Sequence, residues 1–379
     1  MMVYTIPIRT ALILFPFVLI LLLIPFLIWQ YRKYGSISSW RFAVTFSFVF
    51  YLLTAYFLII LPLPSKKYVA RLAANHYPTY NLDPLMVIKE FIQTNPLITK
   101  GLTAWKAGLK DGTFIQPFFN ILLTVPFGFF LHYYFRANLK RCVIISFCLS
   151  LFFELTQLSG LYGLYARPYR LFDVDDLILN TIGGIIGFSL VPIFQKMLPD
   201  LHEITEKSKE KSEKISFVRR LIAFLIDILM IQLIAAIIQL FIKNRQLFWI
   251  EEILGCLIVG FIFPLIFKWS TLGMKVVKIR YGSTINNKSM KLWQLLTRNI
   301  VGFGLTLGNF FAFNIALKMI WEVKVDDRFI YIGLSLVLLL PLMFFAIDYL
   351  LVLKTGHRTW YEKLSRTKLV SNFKTQTIK

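Results

Sequence analysis

Acidic side chains are scarce in this chain: 20 Asp and Glu stand against 42 Lys and Arg among 379 residues, and charged residues of both signs amount to only 16%. A soluble domain of this length needs more charge than that to cover its surface. Cysteine is nearly missing, and Cys142, Cys148 and Cys256 fall inside or at the edge of apolar runs with neither disulfide nor metal spacing. Histidine is equally thin, with His76, His132, His202 and His357 scattered along the chain. No phosphate-cradling glycine loop and no nucleophile elbow is found, so the common nucleotide-dependent and serine-hydrolase chemistries are set aside and neither metal nor cofactor is implied.

What is abundant is apolar surface: 57% of the residues are hydrophobic, more than a water-soluble core of this size can hide, so lipid must take up the excess. Runs long enough to cross a bilayer occupy 11–29, 42–62, 116–135, 142–160, 176–194, 221–241, 253–269, 299–317 and 329–353, measured against the ~20 residues a spanning helix needs. The first run, Ala11 to Trp29, is too long for a secretory h-region and lacks a small-residue cleavage site after it, so it reads as a retained helix. The expected fold is all-α, a polytopic transmembrane bundle of about nine helices in the membrane of a cell. The bilayer is thus the first partner.

The formal charge of +22 suits an anionic membrane face better than nucleic acid. The basic residues lie mostly between apolar runs, as juxtamembrane anchors do, and no basic block is interleaved with stacking aromatics. Alternate loops carry 27 of the 42 Lys and Arg, which makes 30–41, 136–141, 195–220, 268–298 and the tail from 354 cytoplasmic. The N-terminus is then outside, the C-terminus inside, and the long 63–115 loop external. That loop carries Pro62, Pro64, Pro78, Pro84 and Pro96 among aromatic and basic residues at its start and along it. It reads either as an ordered connector or as a segment on the outer leaflet, with a short interfacial helix from Pro84 to Thr94. The Lys and Glu run from Lys196 to Lys214 reads as a solvated helix or tether dividing a five-helix half from a four-helix half. The expected boundaries are 1–195, 196–214, 215–372 and a cytoplasmic tail 373–379.

Polar residues inside the spans form two groups. The third run carries Asn120, the fourth Glu154 and Gln157, and the fifth opens with Asp173, Asp175, Asp176 and Asn180 before Gly183, Gly184 and Gly187. At ~1.5 Å per residue, Asn120, Glu154 and Asn180 lie roughly 6 to 9 Å below the external ends of their helices. Three helices therefore bring acceptors to one level, with Arg167, Arg170 and the aspartates above as a charged mouth. Two readings stand: Glu154 pairs with Arg167 or Arg170 while Asn180 ties two helices, or the level forms a pocket for a cation or a cationic or hydroxylated headgroup. An enzyme using Glu154 and Asp176 as paired carboxylates on a lipid-linked substrate is a third.

The second group is cytoplasmic. Arg219 and Arg220 edge the sixth run, Asp227 lies about 10 to 12 Å further along it, and Asp348 sits at similar depth in the last run, with Arg298 and Asn299 opening the eighth. These residues read either as a helix-locking pair of Arg220 or Arg298 with Asp227, or as the cation path of an exchanger or small-solute transporter through Asp227 and Asp348.

Both groups carry a family resemblance. Thr124 to Phe130 (TVPFGFF), Phe153 to Gln157 (FELTQ) and Arg170 to Gly187 (RLFDVDDLILNTIGGIIG) resemble the VanZ-like family over roughly residues 10–195, with Glu154, Gln157, Arg170, Asp173, Asp176 and Asn180 at its polar positions. That resemblance implies a multi-pass protein of the bacterial cytoplasmic membrane linked to antibiotic resistance, namely tolerance of glycopeptides and of teicoplanin in particular. Its implied ligand is a glycopeptide, a lipid-linked cell-wall intermediate or a lipid headgroup. Arg219 to Ala223 with Asp227, Thr271 to Lys275, Arg298, and Arg358 to Leu364 with Thr367 are similar to the RDD family over about 215–372. That second resemblance implies an accessory module associated with cation exchange. Tyr361 and Glu362 stand where that family commonly has a His-Asp pair.

Overall fold

The structure, a computed structural model, describes residues 2–241, 248–285, 290–304, 328–355 and 358–373, together with 308–309, 312–313, 316–317 and 320. It divides into two compact units, residues 1–22 with 39–204 and residues 23–38 with 205–379.

The first unit holds most of α1 (Met2–Tyr34), followed by α2 (Ser39–Ile60), α3 (Lys66–Ala74), α4 (Met86–Thr94), α5 (Trp105–Lys110), α6 (Gly112–Tyr133), α7 (Leu139–Leu158) and α8 (Val174–Phe194). Side chains at the N-caps set where the long helices begin. Asp111 accepts from Thr113 N, Asn138 from Arg141 N and Asp173 from Asp175 N at 2.9 to 3.0 Å, each satisfying an N–H that the helix leaves unpaired. Asp175 and Asp176 in the first turn of α8 add negative charge where the helix dipole favours it. Residues 80–81 (β1) pair in parallel with 172–173 (β2), which pins the start of α8 beneath the loop that precedes α4.

The closest packing joins α6 to α8. A Cβ placed on Gly128 would overlap the backbone of Gly184, one on Gly187 the carbonyl of Val125, and one on Gly183 the carbonyl of Ile121. Glycine at these positions is what allows two backbones to touch, the usual device where lipid supplies no hydrophobic drive between helices.

The second unit contains most of α9 (Leu201–Glu210), then α10 (Phe217–Phe241), α11 (Phe248–Leu257), α12 (Leu272–Val276), β3 (Ile279–Ser283), α13 (Leu292–Asn299), α14 (Arg328–Thr355), α15 (Trp360–Leu364) and β4 (Thr367–Ser371). β3 and β4 form an antiparallel ribbon in which Ile279 faces Ser371 and Ser283 faces Thr367. Tyr31, Ile222, Met274, Val277, Ile279, Tyr281 and Leu295 make its core, so the end of α1 packs with this unit. One side of the Lys- and Glu-rich segment is also packed: Ser208 and Ser212 are buried, and Ser36 Oγ donates to Ser208 O at 2.8 Å.

Seven helices among the described residues are long and apolar enough to span a bilayer, and the all-α bundle expected from the sequence is what the chain forms. The run at 253–269 is helical but interrupted by a π-turn at Ile258–Ile262 ahead of Pro264. The run at 299–317 lies partly outside the described residues, at 305–307, 310–311 and 314–315.

Candidate functional site

Three helices of the first unit each contribute two polar residues four apart, hence on one face: Asn120 and Thr124 from α6, Ser150 and Glu154 from α7, Asp176 and Asn180 from α8. They interlock. Asn120 Nδ2 donates to Asp176 Oδ1, Asn180 Nδ2 to Ser150 Oγ at 2.9 Å, Ser150 Oγ to Asp176 O at 3.2 Å, and Thr124 Oγ1 to Asn180 O at 2.7 Å. Glu154, only 3% exposed, accepts Asp173 N–H at 3.0 Å through Oε2.

Each of these four donor groups thus makes at least one hydrogen bond, while acceptors are left over. Asn180 Oδ1 is buried without a hydrogen-bond partner. Among the described residues no donor reaches Glu154 Oε1 or Asp176 Oδ2 either, and no Lys or Arg lies within ion-pair distance of either carboxylate. A buried amide oxygen beside two carboxylates with open valences is costly unless something with hydrogen to donate is bound there. Below this level the helices close, because a Cβ on Gly184 would overlap Ser146 Oγ and one on Gly183 would overlap Thr124 Oγ1.

The remaining sequence candidates have other partners. Arg167 donates to the carbonyls of Leu72 and Tyr77 at 2.6 Å each, fastening the chain after α7 to the end of α3 and the turn that follows it. Arg170 is exposed and makes no ion pair among the described residues. The pairing of Glu154 with Arg167 or Arg170 is thus not formed. Gln157 turns to α2, donating to Ile59 O at 3.2 Å. Asp173 caps α8 and receives Asn81 Nδ2 at 3.2 Å. Burial pushes the Asp173 carboxyl above its ordinary range, the Asp175 N–H working against that shift and the Asp175 charge adding to it. Asp175, 3% exposed, takes the N–H groups of Leu85 and Val87 and so anchors the start of α4. Ser150 and Thr124 complete the cluster and were not among the sequence candidates. Their signal was available, since Cys142, Ser146, Ser150 and Glu154 recur every fourth residue on an otherwise apolar helix.

The second unit's polar residues are tied differently. Asp227 accepts Thr271 Oγ1 at 2.6 Å and Gly273 N–H at 2.8 Å, capping α12. Asp348 receives Trp360 N–H at 3.1 Å, and Asn299 donates to Gly260 O. The expected pair of Arg220 or Arg298 with Asp227 is not made; both arginines meet Glu362, Arg298 at 3.1 Å and Arg220 at 3.9 Å. Glu362 is better placed because its own capping box with Thr359 holds it at the start of α15, facing α13. Arg298 also donates to Thr367 Oγ1 and lies over the rings of Tyr281 and Tyr361. Burial pushes the Tyr281 phenol up to about 12 despite that neighbouring guanidinium, so the ring stays neutral. Arg219 is wholly buried without a carboxylate; its guanidinium donates to the carbonyls of Ser212, Val277 and Lys278 and to Ser371 Oγ.

Both clusters lie within regions that match known families. The VanZ/LLP1 family model matches residues 48–195 and the RDD family model residues 215–366. No curated protein and no solved structure matches the chain.

Proposed function

We propose that this VanZ-like protein with a C-terminal RDD domain binds, at the outer face of the cell membrane, the hydrogen-donating and positively charged part of an envelope ligand. The ligand is a glycopeptide such as teicoplanin, a lipid-linked cell-wall intermediate or a lipid headgroup, and binding protects the envelope without a chemical step. One observation carries this reading: beyond the one hydrogen bond that each carboxylate accepts, Glu154, Asp176 and Asn180 keep acceptors that no donor and no ion-paired cation among the described residues reaches, at the level where three helices meet. The glycine seal beneath them favours a site entered from one side over a path through the unit.

The test is teicoplanin susceptibility of a strain lacking the gene, complemented with the wild-type chain, Glu154→Gln or Asn180→Ala. Deletion is expected to sensitise the strain, and both variants to fail in complementation while membrane levels, read by immunoblot, stay near wild type. Unchanged susceptibility on both deletion and overexpression would sink the role in tolerance. Loss of both variants from the membrane would instead give the cluster a purely structural role.

A further inference from the structure

We infer that the segment from Leu85 to Lys110 is a folded platform seated on an anionic lipid surface, which it grips with two apolar stripes edged by lysine. This assignment stands independently of the ligand site.

The segment is built rather than loose. Asn95 is fully buried at its centre, its Nδ2 donating to Gly108 O at 3.2 Å and Thr113 Oγ1 at 2.9 Å while its Oδ1 accepts Leu97 N–H at 2.9 Å. Gly108 is required for this fit, since a Cβ there would lie 2.7 Å from Asn95 Oδ1 and 2.6 Å from Leu97 Cβ. At its other end the Asp175 carboxylate holds Leu85 and Val87.

Yet this clasped segment turns its large apolar side chains outward. Ile88 and Ile92 lie four apart on one face of α4 with Leu85 just before its start, and Leu102, Trp105 and Leu109 follow at i, i+3 and i+7 through the turn at 102–104 and α5; all six are exposed, Leu102 at 83%. In each stripe a lysine stands one residue further on, Lys89 after Ile88, Lys106 after Trp105 and Lys110 after Leu109, which places the ammonium groups along the stripe's edge. Lys106 lies over the Trp105 ring at 5.5 Å. An apolar face bordered by lysine and tryptophan is the composition that inserts at the headgroup boundary of an anionic leaflet. The chain then passes through the single residue Asp111 into α6, a membrane-spanning helix whose Phe118 and Phe119 are exposed, so the stripe is continuous with a lipid-facing surface.

Spin labels on the full chain in lipid nanodiscs test the assignment. Cys148 and Cys256 are replaced by Ser, Cys142 is left because it is fully buried, and single labels are placed with Leu102→Cys, Ile88→Cys and, as the polar-side control, Gln93→Cys. Labels at 102 and 88 are expected to collide with oxygen more than with a water-soluble nickel chelate, with the opposite order at 93. Phosphatidylglycerol discs should deepen labels 102 and 88 relative to phosphatidylcholine discs, and replacing Lys89, Lys106 and Lys110 with Gln should abolish that difference. Nickel access at 102 and 88 equal to that at 93 overturns the proposal. So does protection from both reagents that grows with protein concentration, which would make the cover a second copy of the chain. A depth indifferent to lipid charge removes the anionic preference.

Discussion

The two units treat the carboxylates buried among their helices differently, although each also holds buried polar atoms without a partner among the described residues, Asn180 Oδ1 in the first and Asn299 Oδ1 and Trp360 Nε1 in the second. In the second unit, Arg298, Arg220 and Glu362 close on one another and Arg219 is absorbed by carbonyls, while Asp227 caps a helix. In the first unit, Glu154, Asp176 and Asn180 keep acceptors that no donor among the described residues fills. Satisfied charge inside a bundle holds it together, whereas open acceptors leave room for water, an ion or a ligand to supply the missing hydrogen bonds. On the function proposed above, the closed cluster is structural and the open one a recognition site, although the sequence presents both simply as acids and arginines in apolar runs.

Breaking the closed cluster gives the largest effect. Glu362→Ala strands two guanidinium groups, one of them almost wholly buried, and should cost about 3–5 kcal/mol, read as a lowered unfolding midpoint of the purified chain. Equal stability to wild type would mean that the ion pair is dispensable and the contrast false.

Gly128→Ala tests the packing that holds the open cluster in place. Its new methyl group meets the backbone of Gly184, and the expected cost is about 1–3 kcal/mol with loss of complementation in the susceptibility assay. Gly101→Ala, which meets no atom but is strained by its positive φ, serves as a control for glycine loss outside a helix contact.

Asp227→Asn should be milder, because an amide oxygen still accepts from Gly273 or Thr271 and only part of the cap is lost, about 1 kcal/mol. Sodium or proton flux into proteoliposomes sharpens the point. Flux that disappears in this variant while the fold is kept would return Asp227 to a cation path and erase the contrast between the units.

The smallest effect is a slope in pH. The folded-state carboxyl of Asp173 is raised by burial, so its stabilising contribution is complete below the unfolded carboxylate value and is lost as pH rises through the folded one. Asp173→Asn keeps the cap and should flatten that slope in unfolding midpoints measured from about pH 4 to pH 7. Cation binding runs the other way, strengthening as the same carboxyl ionises.

Much of this was legible beforehand. The apolar runs gave the helices, because a lipid-spanning backbone has few other ways to pair its N–H groups, and the spacing of Asn120, Glu154, Asp176 and Asn180 located the level at which three helices meet. The arginine partners were not legible. Arg167 was drawn to carbonyls at and beyond the end of α3 and Arg298 to Glu362, choices that depend on which distant segment runs past a long side chain. Asp175 looked like one more acid in a charged mouth, and only the pairing of 80–81 with 172–173 brings the amides of Leu85 and Val87 to it.

By itself the sequence determined that this chain lives in a bilayer, that its helices carry polar faces, and which families its two parts match, because hydrophobic length and residue spacing are local properties. Tertiary structure alone decided which buried acceptors are satisfied and which remain open. That outcome depends on donors from distant segments arriving within about 3 Å, a matter of packing that no local pattern encodes.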